Sequence, residues 1–404
     1  MTGSTGTLPL QPAPAAQPAP LPEPLPEGTA PWRTARAPYR VSPLGAHVDH
    51  QLGSVLGFSL EPAIRLRFRP RIDRRVVARS REFPGEEAFD AAAPGAPCGT
   101  WGDYLRGVAV ELGKRAPLGV GLDALVEGDL PPGGVSSSAS LQVAFLLALS
   151  AVNGLVLDRQ DAMRLVRDAE RAYAGVEVGL LDPAIILFGE TGKLVHLDCR
   201  EEVPRAQRLA KSLPPFSFLL VDSGVPRDLR DGRYNERVAE CRAAARALGS
   251  TSEPPALRDV TLEVLRRRRT TLDRVSADRA EHVLTENKRV RDGLAALQRG
   301  DLTAFCRLVD ASADSLATRF EVGTPETLFL LRRLRAVPGV LAATFAGAGF
   351  GGQLFAICEP LLAPELASAA LAAPYAAAFP DAASRLAVRK AAPGPGAGLV
   401  AEAS

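Results

Sequence analysis

Hydrophobic and polar positions change their spacing along this chain, from strand-like alternation near the start to helical periods further on. Between residues 59 and 80, apolar and basic residues alternate (SLEPAIRLRFRPRIDRRVVARS), which predicts antiparallel strands with one face in water. The run PFSFLLVDSG at 215–224 predicts a strand, and residues 340–358 predict two strands joined by a glycine turn. Helical spacing predicts helices over 101–114, 139–152, 158–173, 233–248, 255–268 and 278–298. Strands and helices are segregated early and interleaved late, which indicates an α+β fold with two lobes.

The two ends of the chain differ from its centre in composition. Residues 8–31 are rich in proline and alanine, and proline at this density supports neither a helix nor a ladder of strands. We therefore expect residues 1–31 to form a disordered tail, passive rather than a docking segment. The segment AAPGPGAGLVAEAS predicts a second, flexible tail over 391–404.

The composition is that of an ordinary globular protein without a strong electric field. A net charge of +2 in 404 residues gives no large field to hold nucleic acid or an anionic membrane, so neither is expected as a partner. The five cysteines are scattered and form no CxxC pair, which indicates reduced thiols rather than a disulfide framework or a zinc site. No basic start followed by an apolar core marks a secretory signal, and the apolar run after Ser138 is too short to span a bilayer. These features predict a cytoplasmic protein.

The stretch from Gly128 to Gly154 (GDLPPGGVSSSASLQVAFLLALSAVNG) combines a glycine loop, three serines and an apolar run. Serine favours helix N-termini, so the pattern predicts a loop that opens directly onto a buried helix. Free backbone N–H groups and the helix dipole at such a start form a phosphate site, where a serine hydroxyl can ligate magnesium. The loop is not a Walker A sequence, because no Lys-Ser or Lys-Thr follows its glycines. An ordinary capped core helix is the alternative interpretation.

Polar residues are concentrated in the stretch RAPYRVSPLGAHVDHQLGS, residues 36–54. It contains His47, Asp49 and His50, whose spacing fits neither HExxH nor a known zinc set. A cluster that hydrogen-bonds a hydroxylated ligand is therefore the better interpretation.

Two further stretches carry candidate chemistry. In ERAYAGVEVGLLDPAIILFG, residues 170–189, Asp182 stands between an apolar pair and Pro183, which is typical either of a turn or of a base held in a pocket. Glu170, near the end of a predicted helix, would ordinarily be a solvated surface charge. In FAGAGFGGQLFAI, residues 345–357, glycines between apolar strands indicate close approach of the backbone to a ligand or to another strand.

Taken together and in this order, these stretches resemble the GHMP small-molecule kinases over nearly all of residues 36–357. Three more stretches are similar to the galactokinase branch: DGRYNERVAEC (231–241), RAEHVLTENKRV (279–290) and DASADSLATRFEVGTPE (310–326). The resemblance implies an α+β, two-lobed GHMP kinase fold with the active site between the lobes. It also implies an N-terminal domain over 32–200, which carries the phosphate-binding loop, and a C-terminal domain over 201–390.

The resemblance implies a role for each matching residue. Asp182 would take the proton from the anomeric hydroxyl of a sugar or orient that hydroxyl, and Arg40 would stabilise the resulting charge. Ser138 and Glu170 match magnesium positions. The residues expected to contact the sugar are Ala46, His47, Asp49, Gly179 and Tyr234. The residues expected to hold ATP are Gly133, Gly134, Val135, Ser136, Ser137, Ser138 and Ala139. Gly347 and Gly349 would line the floor of the site near the phosphates.

The sequence motif PYR…PLGAHVDHQ is similar to the corresponding motif of galacturonokinases. Tyr39 and Ala46 stand where a typical galactokinase has glycine and glutamate, and the resemblance places that glutamate opposite the C6 hydroxyl of galactose. A uronic acid carries a carboxylate at C6, and two like charges about 4 Å apart at an effective dielectric of about 20 repel by roughly 4 kcal/mol. Ala46 removes this repulsion. We therefore expect an ATP- and Mg²⁺-dependent sugar-1-kinase that acts on D-galacturonate.

Other interpretations stay open at the level of sequence. The chain could be a galactokinase, a kinase for glucuronate or arabinose, or a regulator that binds sugar and ATP without turnover. Intact Arg40, Asp182 and Ser138 argue against the regulator.

The sequence departs from the family pattern at three prolines. Pro132 replaces a glycine of the phosphate loop, Pro183 replaces a glutamine, and Pro226 replaces a basic residue for which Arg227 could compensate. None of these changes removes a group that the mechanism needs. Tyr39 and Arg227 are the candidates for pairing with a substrate carboxylate, and a monomer is expected.

Overall fold

The structure, a computed structural model, describes residues 30–226 and 232–400. Most of the predicted N-terminal tail, together with Arg227 and the last four residues, lies outside the described residues. Two β-sheets and the helices packed on them make up the described part of the chain, which confirms the α+β prediction.

The first sheet has eight strands in the described ranges. They are β1 (Arg33–Leu44), β2 (Ser54–Pro70), β3 (Arg75–Ser80), β4 (Glu86–Asp90), β5 (Leu122–Gly128), β6 (Lys193–Asp198), β7 (Arg205–Arg208) and β12 (Gly398–Val400). Their order is β12-β1-β2-β5-β3-β4, with β6 paired to the start of β2 and β7 paired to β6. Only β3 and β5 pair in parallel among these strands. The alternating stretch 59–80 covers most of β2 and all of β3, which confirms that it forms strands. The antiparallel prediction holds for β2 and for the pairing of β3 with β4, but it is wrong for the pairing of β3 with β5.

The second sheet is antiparallel and has the order β11-β8-β10-β9. Its strands are β8 (Ser217–Asp222), β9 (Val340–Phe345), β10 (Gln353–Cys358) and β11 (Ala387–Ala391). The prediction of two strands joined by a glycine turn is confirmed, because β9 and β10 form a hairpin around residues 346–352.

Eleven helices surround the two sheets in the described ranges. They are α1 (Asp103–Gly113), α2 (Ser137–Val152), α3 (Arg159–Ala174), α4 (Leu181–Phe188), α5 (Arg233–Ala247), α6 (Leu262–Arg268), α7 (Arg274–Arg299), α8 (Leu302–Thr318), α9 (Pro325–Arg335), α10 (Pro364–Ala378) and α11 (Pro380–Ala383). The predicted helices at 101–114, 139–152, 158–173, 233–248 and 278–298 are confirmed within a few residues.

Helix α2 determines the position of the phosphate loop, residues 130–139. The helix is apolar on all sides and almost entirely buried against β1 and β2. A helix of this kind belongs in a core rather than on a surface. Its buried position fixes its N-terminus, and with it the glycine loop, beside β1.

No helix within the described ranges is long and apolar enough to cross a membrane.

One predicted helix is only half correct. The prediction of a helix over 255–268 fails before Leu262, where α6 begins. Thr261 is the N-cap residue of α6, because its hydroxyl accepts a hydrogen bond from the backbone N–H of Val264 at 3.2 Å. The preceding residues form only one 3₁₀ turn, Leu257–Asp259.

The predicted flexible tail over 391–404 is wrong for its described part. Strand β12 pairs with β1, and the Arg36 guanidinium donates to the backbone oxygen of Pro395 at 3.0 Å. The prediction failed because it was based on proline and glycine content, whereas residues 398–400 follow the last proline and are free to pair. The first sheet also extends past the predicted boundary at residue 200, since β7 pairs with β6.

Candidate active site

One cavity collects most of the predicted site residues from distant parts of the chain. Its walls come from β1, the 3₁₀ turn Asp49–Gln51, α3, α4, α5 and the turn between β9 and β10. The predicted residues that line it are Arg40, Ala46, His47, Asp49, Glu170, Gly179, Asp182, Tyr234 and Gly347. Strand β1 of the first sheet and the β9–β10 turn of the second sheet therefore contribute to a single site.

Asp182 and Arg40 form an ion pair at the centre of the cavity. The Nε of Arg40 donates to Oδ1 of Asp182 at 2.6 Å, and its Nη1 donates to the backbone oxygen of Ala346 at 2.6 Å. The Arg40 side chain is 5% exposed, whereas that of Asp182 is 29% exposed. Asp182 lies in the first turn of α4, so the interpretation as a simple turn before Pro183 is wrong. The carboxylate is held firmly yet keeps a face open to a ligand.

Each of the three serines at the start of α2 has a different partner. Ser136 is in the left-handed region (φ +63°) and makes no side-chain cap; its hydroxyl instead donates to Oδ2 of Asp182. Ser137 accepts a hydrogen bond from the backbone N–H of Gly133 at 3.1 Å, which closes the loop. Ser138 donates to Oε1 of Glu170 at 2.9 Å. The loop is thereby connected directly to both carboxylates of the site.

Glu170 is buried, so its interpretation as a surface charge is wrong. The residue is 5% exposed, and its second carboxylate oxygen accepts from Nε2 of Gln142 at 2.9 Å. Ser138 and Glu170 offer hard oxygen ligands at a helix N-terminus, a donor set that fits Mg²⁺. No cluster of three or more His, Cys, Asp or Glu that could hold a metal occurs within residues 30–226 and 232–400. A magnesium ion here would therefore take its other ligands from nucleotide phosphates and water.

Asp49 lies in the part of the cavity wall formed by the 3₁₀ turn, where the neighbouring backbone leaves little space for a side chain. Burial raises the pKa of Asp49 to about 6, with a smaller contribution from the negative charge of Asp182. The backbone N–H of Leu181 donates to its Oδ2 at 3.4 Å. A Cβ atom at Gly179 would lie 2.3 Å from that same oxygen, so only glycine fits there. The close approach of this backbone to Asp49 closes one side of the cavity.

His47 and Tyr234 form the wall next to Ala46. His47 has a left-handed backbone (φ +59°), and its Nε2 lies 2.9 Å from the backbone oxygen of Ala348. Its ring centroid lies 5.4 Å from that of Tyr234 and 4.7 Å from that of Phe320. Ala46 is partly exposed beside these rings, so this wall has a small side chain at its centre.

Two predicted residues do not lie where the sequence analysis expected. The hydroxyl of Tyr39 donates to the backbone oxygen of Leu130 at 3.2 Å and is buried beneath the phosphate loop. Tyr39 is therefore not available to a substrate carboxylate in the cavity. Gly349 packs against Val322, so the floor of the cavity is formed by Gly347 rather than by both glycines.

The glycine turn contacts the phosphate loop as well as the cavity. Nε2 of Gln353 donates to the backbone oxygen of Gly133 at 3.2 Å. A Cβ at Gly134 would lie 2.7 Å from the backbone nitrogen of Gln353, so the phosphate loop can approach the start of β10 this closely only with glycine at position 134. The predicted close backbone approach is confirmed at Gly349 of the turn, where a Cβ would lie 2.6 Å from the backbone oxygen of Val322.

The residues that support the sugar-side wall from behind were not predicted from the sequence. Three buried residues of α7, His282, Glu286 and Asn287, contact the loop that carries Ala46 and Asp49. The stretch RAEHVLTENKRV that contains them was noticed, but nothing in the sequence says which loop they meet.

The arrangement is suited to transferring a phosphoryl group to a hydroxyl. A carboxylate paired with an arginine can accept a hydroxyl proton while the arginine stabilises the anion that forms. A helix N-terminus with a glycine loop, a few ångströms away through the Ser136–Asp182 contact, binds phosphates. Acceptor and donor sites thus meet at Asp182.

Comparisons with known proteins match both halves of the chain. The family described as GHMP kinases N terminal domain matches residues 103–190, and GHMP kinases C terminal matches residues 294–377. A galacturonokinase from Arabidopsis thaliana is 35% identical over 364 residues, covering 83% of this chain and 85% of that protein. A galactokinase from Roseiflexus sp. (strain RS-1) is 34% identical over 334 residues, covering 82% and 85%.

Solved structures agree in fold. The crystal structure of Lactococcus lactis galactokinase complexed with galactose has a TM-score of 0.83 and 28% identity, covering 91% of this chain and 94% of that one. Methanococcus jannaschii mevalonate kinase has a TM-score of 0.60 and 12% identity, covering 91% and 99%, and so shows the shared fold alone.

Proposed function

Since this chain belongs to the GHMP kinases and is a sugar kinase of the galactokinase type, we propose that it phosphorylates the anomeric hydroxyl of D-galacturonate. ATP is the phosphoryl donor in this family. The product of the proposed reaction is galacturonate 1-phosphate. The identity of the sugar is the step beyond the family assignment, because a galactokinase and a galacturonokinase match this chain about equally well.

The observation that carries the proposal is the small side chain of Ala46 on the cavity wall. A glutamate at this position would place a second carboxylate near the C6 carboxylate of a bound uronate. The repulsion of roughly 4 kcal/mol corresponds to about a thousandfold in affinity. Alanine gives the uronate both the space and the absence of a like charge.

The remaining residues of the cavity supply the chemistry that any sugar acceptor would need. Asp182 takes the proton of the anomeric hydroxyl or orients that hydroxyl, while Arg40 stabilises the developing negative charge. Asp49, Tyr234 and the backbone of Gly179 hold the sugar hydroxyls. The positions of these side chains around the open face of Asp182 support the proposed roles.

The nucleotide occupies the other end of the site. The loop of residues 133–139 binds its phosphates at the N-terminus of α2 through backbone N–H groups other than that of Gly133, which donates to Ser137. Ser138 and Glu170 hold Mg²⁺, which neutralises phosphate charge when it is bound. Gln142 keeps the Glu170 carboxylate turned toward Ser138.

Galactose is the second candidate sugar. The fold superposes best, among the structures compared above, on a galactokinase solved with galactose. The polar residues of the cavity wall, among them Asp49 and Tyr234, carry groups that can hydrogen-bond the hydroxyls of either sugar.

The test is an assay of ADP release with ATP and Mg²⁺ against D-galacturonate, D-glucuronate, D-galactose and L-arabinose. The Asp182→Ala variant serves as the blank. A kcat/KM for galacturonate at least tenfold above that for each other sugar is the expected result. Preferential turnover of galactose would overturn the proposed sugar and leave the kinase assignment intact. Binding of a sugar without turnover would instead point to a regulator.

A further inference from the structure

We infer that helix α7 sets the shape of the sugar-side loop, defined here as residues 45–54, and thereby controls the affinity for the sugar. His282, Glu286 and Asn287 act as positioning residues, because none of them lines the cavity yet each contacts this loop. The inference rests on the proposed function only for the identity of the sugar that the loop selects.

Glu286 holds the start of the loop. Its Oε1 accepts a hydrogen bond from the backbone N–H of Gly45 at 2.7 Å, across 241 residues of sequence. Gly45 has φ +97°, and a Cβ there would lie 2.6 Å from Cα of Val55. The backbone therefore enters the loop in a conformation and a space that only glycine tolerates, and Glu286 fixes it there.

His282 holds the residue that the proposed selectivity depends on. Its Nε2 lies 3.1 Å from the backbone oxygen of Ala46, and its Nδ1 lies 2.9 Å from Oγ of Ser315. A carbonyl oxygen only accepts, so Nε2 carries the proton and Nδ1 accepts from the serine hydroxyl. The imidazole is fully buried, so this pair of contacts locks the peptide that follows Ala46.

Asn287 holds the end of the loop. Its Oδ1 accepts from the backbone N–H of Ser54 at 2.9 Å. A Cβ at Gly53 would lie 2.6 Å from that same oxygen, so the end of the loop is in close contact with α7. Both ends of the loop are thus attached to one turn of a single helix.

The attachment at Glu286 is itself held from two sides. Ser312 donates to Oε1 at 2.8 Å, and Nε of Arg289 donates to Oε2 at 2.6 Å. The carboxylate is completely buried, and a buried charge is retained in a fold only when its oxygens are satisfied. One of those oxygens is shared between the helix-packing contact with Ser312 and the loop contact with Gly45.

The loop needs this support because its own backbone is strained. His47 and Leu52 have φ of +59° and +58°, a region that L-residues with bulky side chains rarely adopt. Such conformations persist only where the surroundings hold them. Between these strained positions lies Asp49, which contacts the backbone of Leu181 across the cavity. Loss of an anchor would let the loop relax and displace Ala46, His47 and Asp49 together.

The test compares Glu286→Ala with Glu281→Ala on the same helix. Glu281 pairs with Arg269 and Arg319 and makes no contact with the loop among the described residues. Glu286→Ala is expected to raise the KM for the sugar about tenfold or more, with the KM for ATP unchanged within about twofold. Glu281→Ala is expected to leave both KM values unchanged. The sugar used is whichever one the unmodified enzyme turns over best, so a wrong sugar assignment does not affect the outcome.

Two more variants separate positioning from stability. In Glu286→Gln the amide oxygen can still accept from Gly45 while the charge contact with Arg289 is lost, so the melting temperature should fall but the sugar KM should return close to normal. Asn287→Ala should raise the sugar KM, and Asn287→Asp, which keeps an acceptor for Ser54, should restore it. The inference is overturned if Glu286→Ala and Asn287→Ala, folded by circular dichroism, lower only the melting temperature. It is equally overturned if they raise the sugar and ATP KM values by the same factor.

Discussion

The two loops that meet at Asp182 are held in different ways. The sugar-side loop is anchored by α7, through contacts that span 233 to 241 residues of sequence. The phosphate loop, residues 130–139, is closed locally by the Gly133–Ser137 hydrogen bond and by glycines with positive φ. Its more distant contacts are with β1, where Tyr39 donates to Leu130 and the Arg40 N–H donates to Val135, and with the side chains of three other residues. Those residues are Glu170, Asp182 and Gln353.

The difference follows from what each loop has to recognise. Phosphate is bound by backbone N–H groups and a helix dipole, which a local turn supplies wherever a helix begins. A sugar is distinguished by the position of single hydroxyl or carboxylate groups, which requires side chains fixed to within a fraction of an ångström. Fixing side chains on an irregular loop takes support from a rigid element elsewhere, and α7 provides it.

The largest effect is expected where the two loops meet. Asp182→Ala should lower kcat by about 10⁴-fold, because it removes the proposed acceptor of the hydroxyl proton. ADP release measures the loss, and circular dichroism checks the fold. Asp182→Asn, which keeps an oxygen for Arg40, should be nearly as inactive. Substantial turnover in either variant would remove Asp182 from the role of base.

The second-largest effect is expected for a substitution in the sugar-side loop. Ala46→Glu should weaken galacturonate binding by up to about a thousandfold, through like-charge repulsion, and change galactose binding far less. KM values for the two sugars, measured with the same enzyme preparation, give the ratio. Ala46→Gln is the matched control, since it has the same size without the charge. Equal losses for both sugars with Ala46→Glu would refute the placement of C6 beside residue 46.

A third prediction concerns the free-energy cost of the half-buried charge of Asp49 on the sugar-side loop. The pKa of Asp49 is raised to about 6 by burial and then by Asp182, so the folded state binds its proton more tightly than the unfolded state. This group destabilises the fold increasingly as pH rises from about 4 to 6, by roughly 1 to 3 kcal/mol once the part facing the cavity is discounted.

Asp49→Asn should therefore raise the free energy of unfolding at pH 7.5 and have little effect near pH 4, while raising the sugar KM. Urea unfolding at the two pH values measures the difference. Asp292→Asn, at an exposed Lys288 pair, serves as the control and should change stability little at either pH. A gain that is the same at both pH values would contradict the raised pKa.

The smallest effect is expected on the phosphate side. Ser138→Ala should raise the KM for ATP about tenfold, because one proposed magnesium ligand and one partner of Glu170 are lost. The dissociation constant for the sugar in the absence of nucleotide should not change. Ser140→Ala, on the same helix but bonded to the backbone oxygen of Pro38, should lower stability without raising the KM for ATP. A matching rise in both variants would show that the loop depends on helix packing alone.

The same contrast explains what the sequence could and could not predict. The phosphate loop is a local feature, so its glycines, serines and apolar helix were visible in one stretch of sequence. Asp182 and Arg40 were identified through the family resemblance, but their ion pair joins residues 142 positions apart. The burial of Glu170 depends on Ser138 and Gln142 packing over it, which no local pattern around Glu170 reveals.

The contacts of α7 with the sugar-side loop were beyond prediction for the same reason. Helical periodicity showed that a helix covers this stretch, and its buried polar residues could have been noticed on the apolar face. The identity of the loop that they hold depends on how β1 and β2 are placed against α7. The C-terminal strand was missed because composition does not show which edge a short segment can pair with.

The pairing of β12 with β1 has a consequence for how this chain leaves the ribosome. β1 is synthesised early, yet its partner residues from Gly398 to Val400 emerge only after the whole second sheet. At about 5–20 residues per second, the interval is on the order of tens of seconds. During that time Thr34–Arg36 present an open strand edge, and Arg36 lacks its contact with Pro395. A truncation that removes Gly398–Val400 therefore acts on the first sheet, whose strand β1 is made long before the residues that complete its edge.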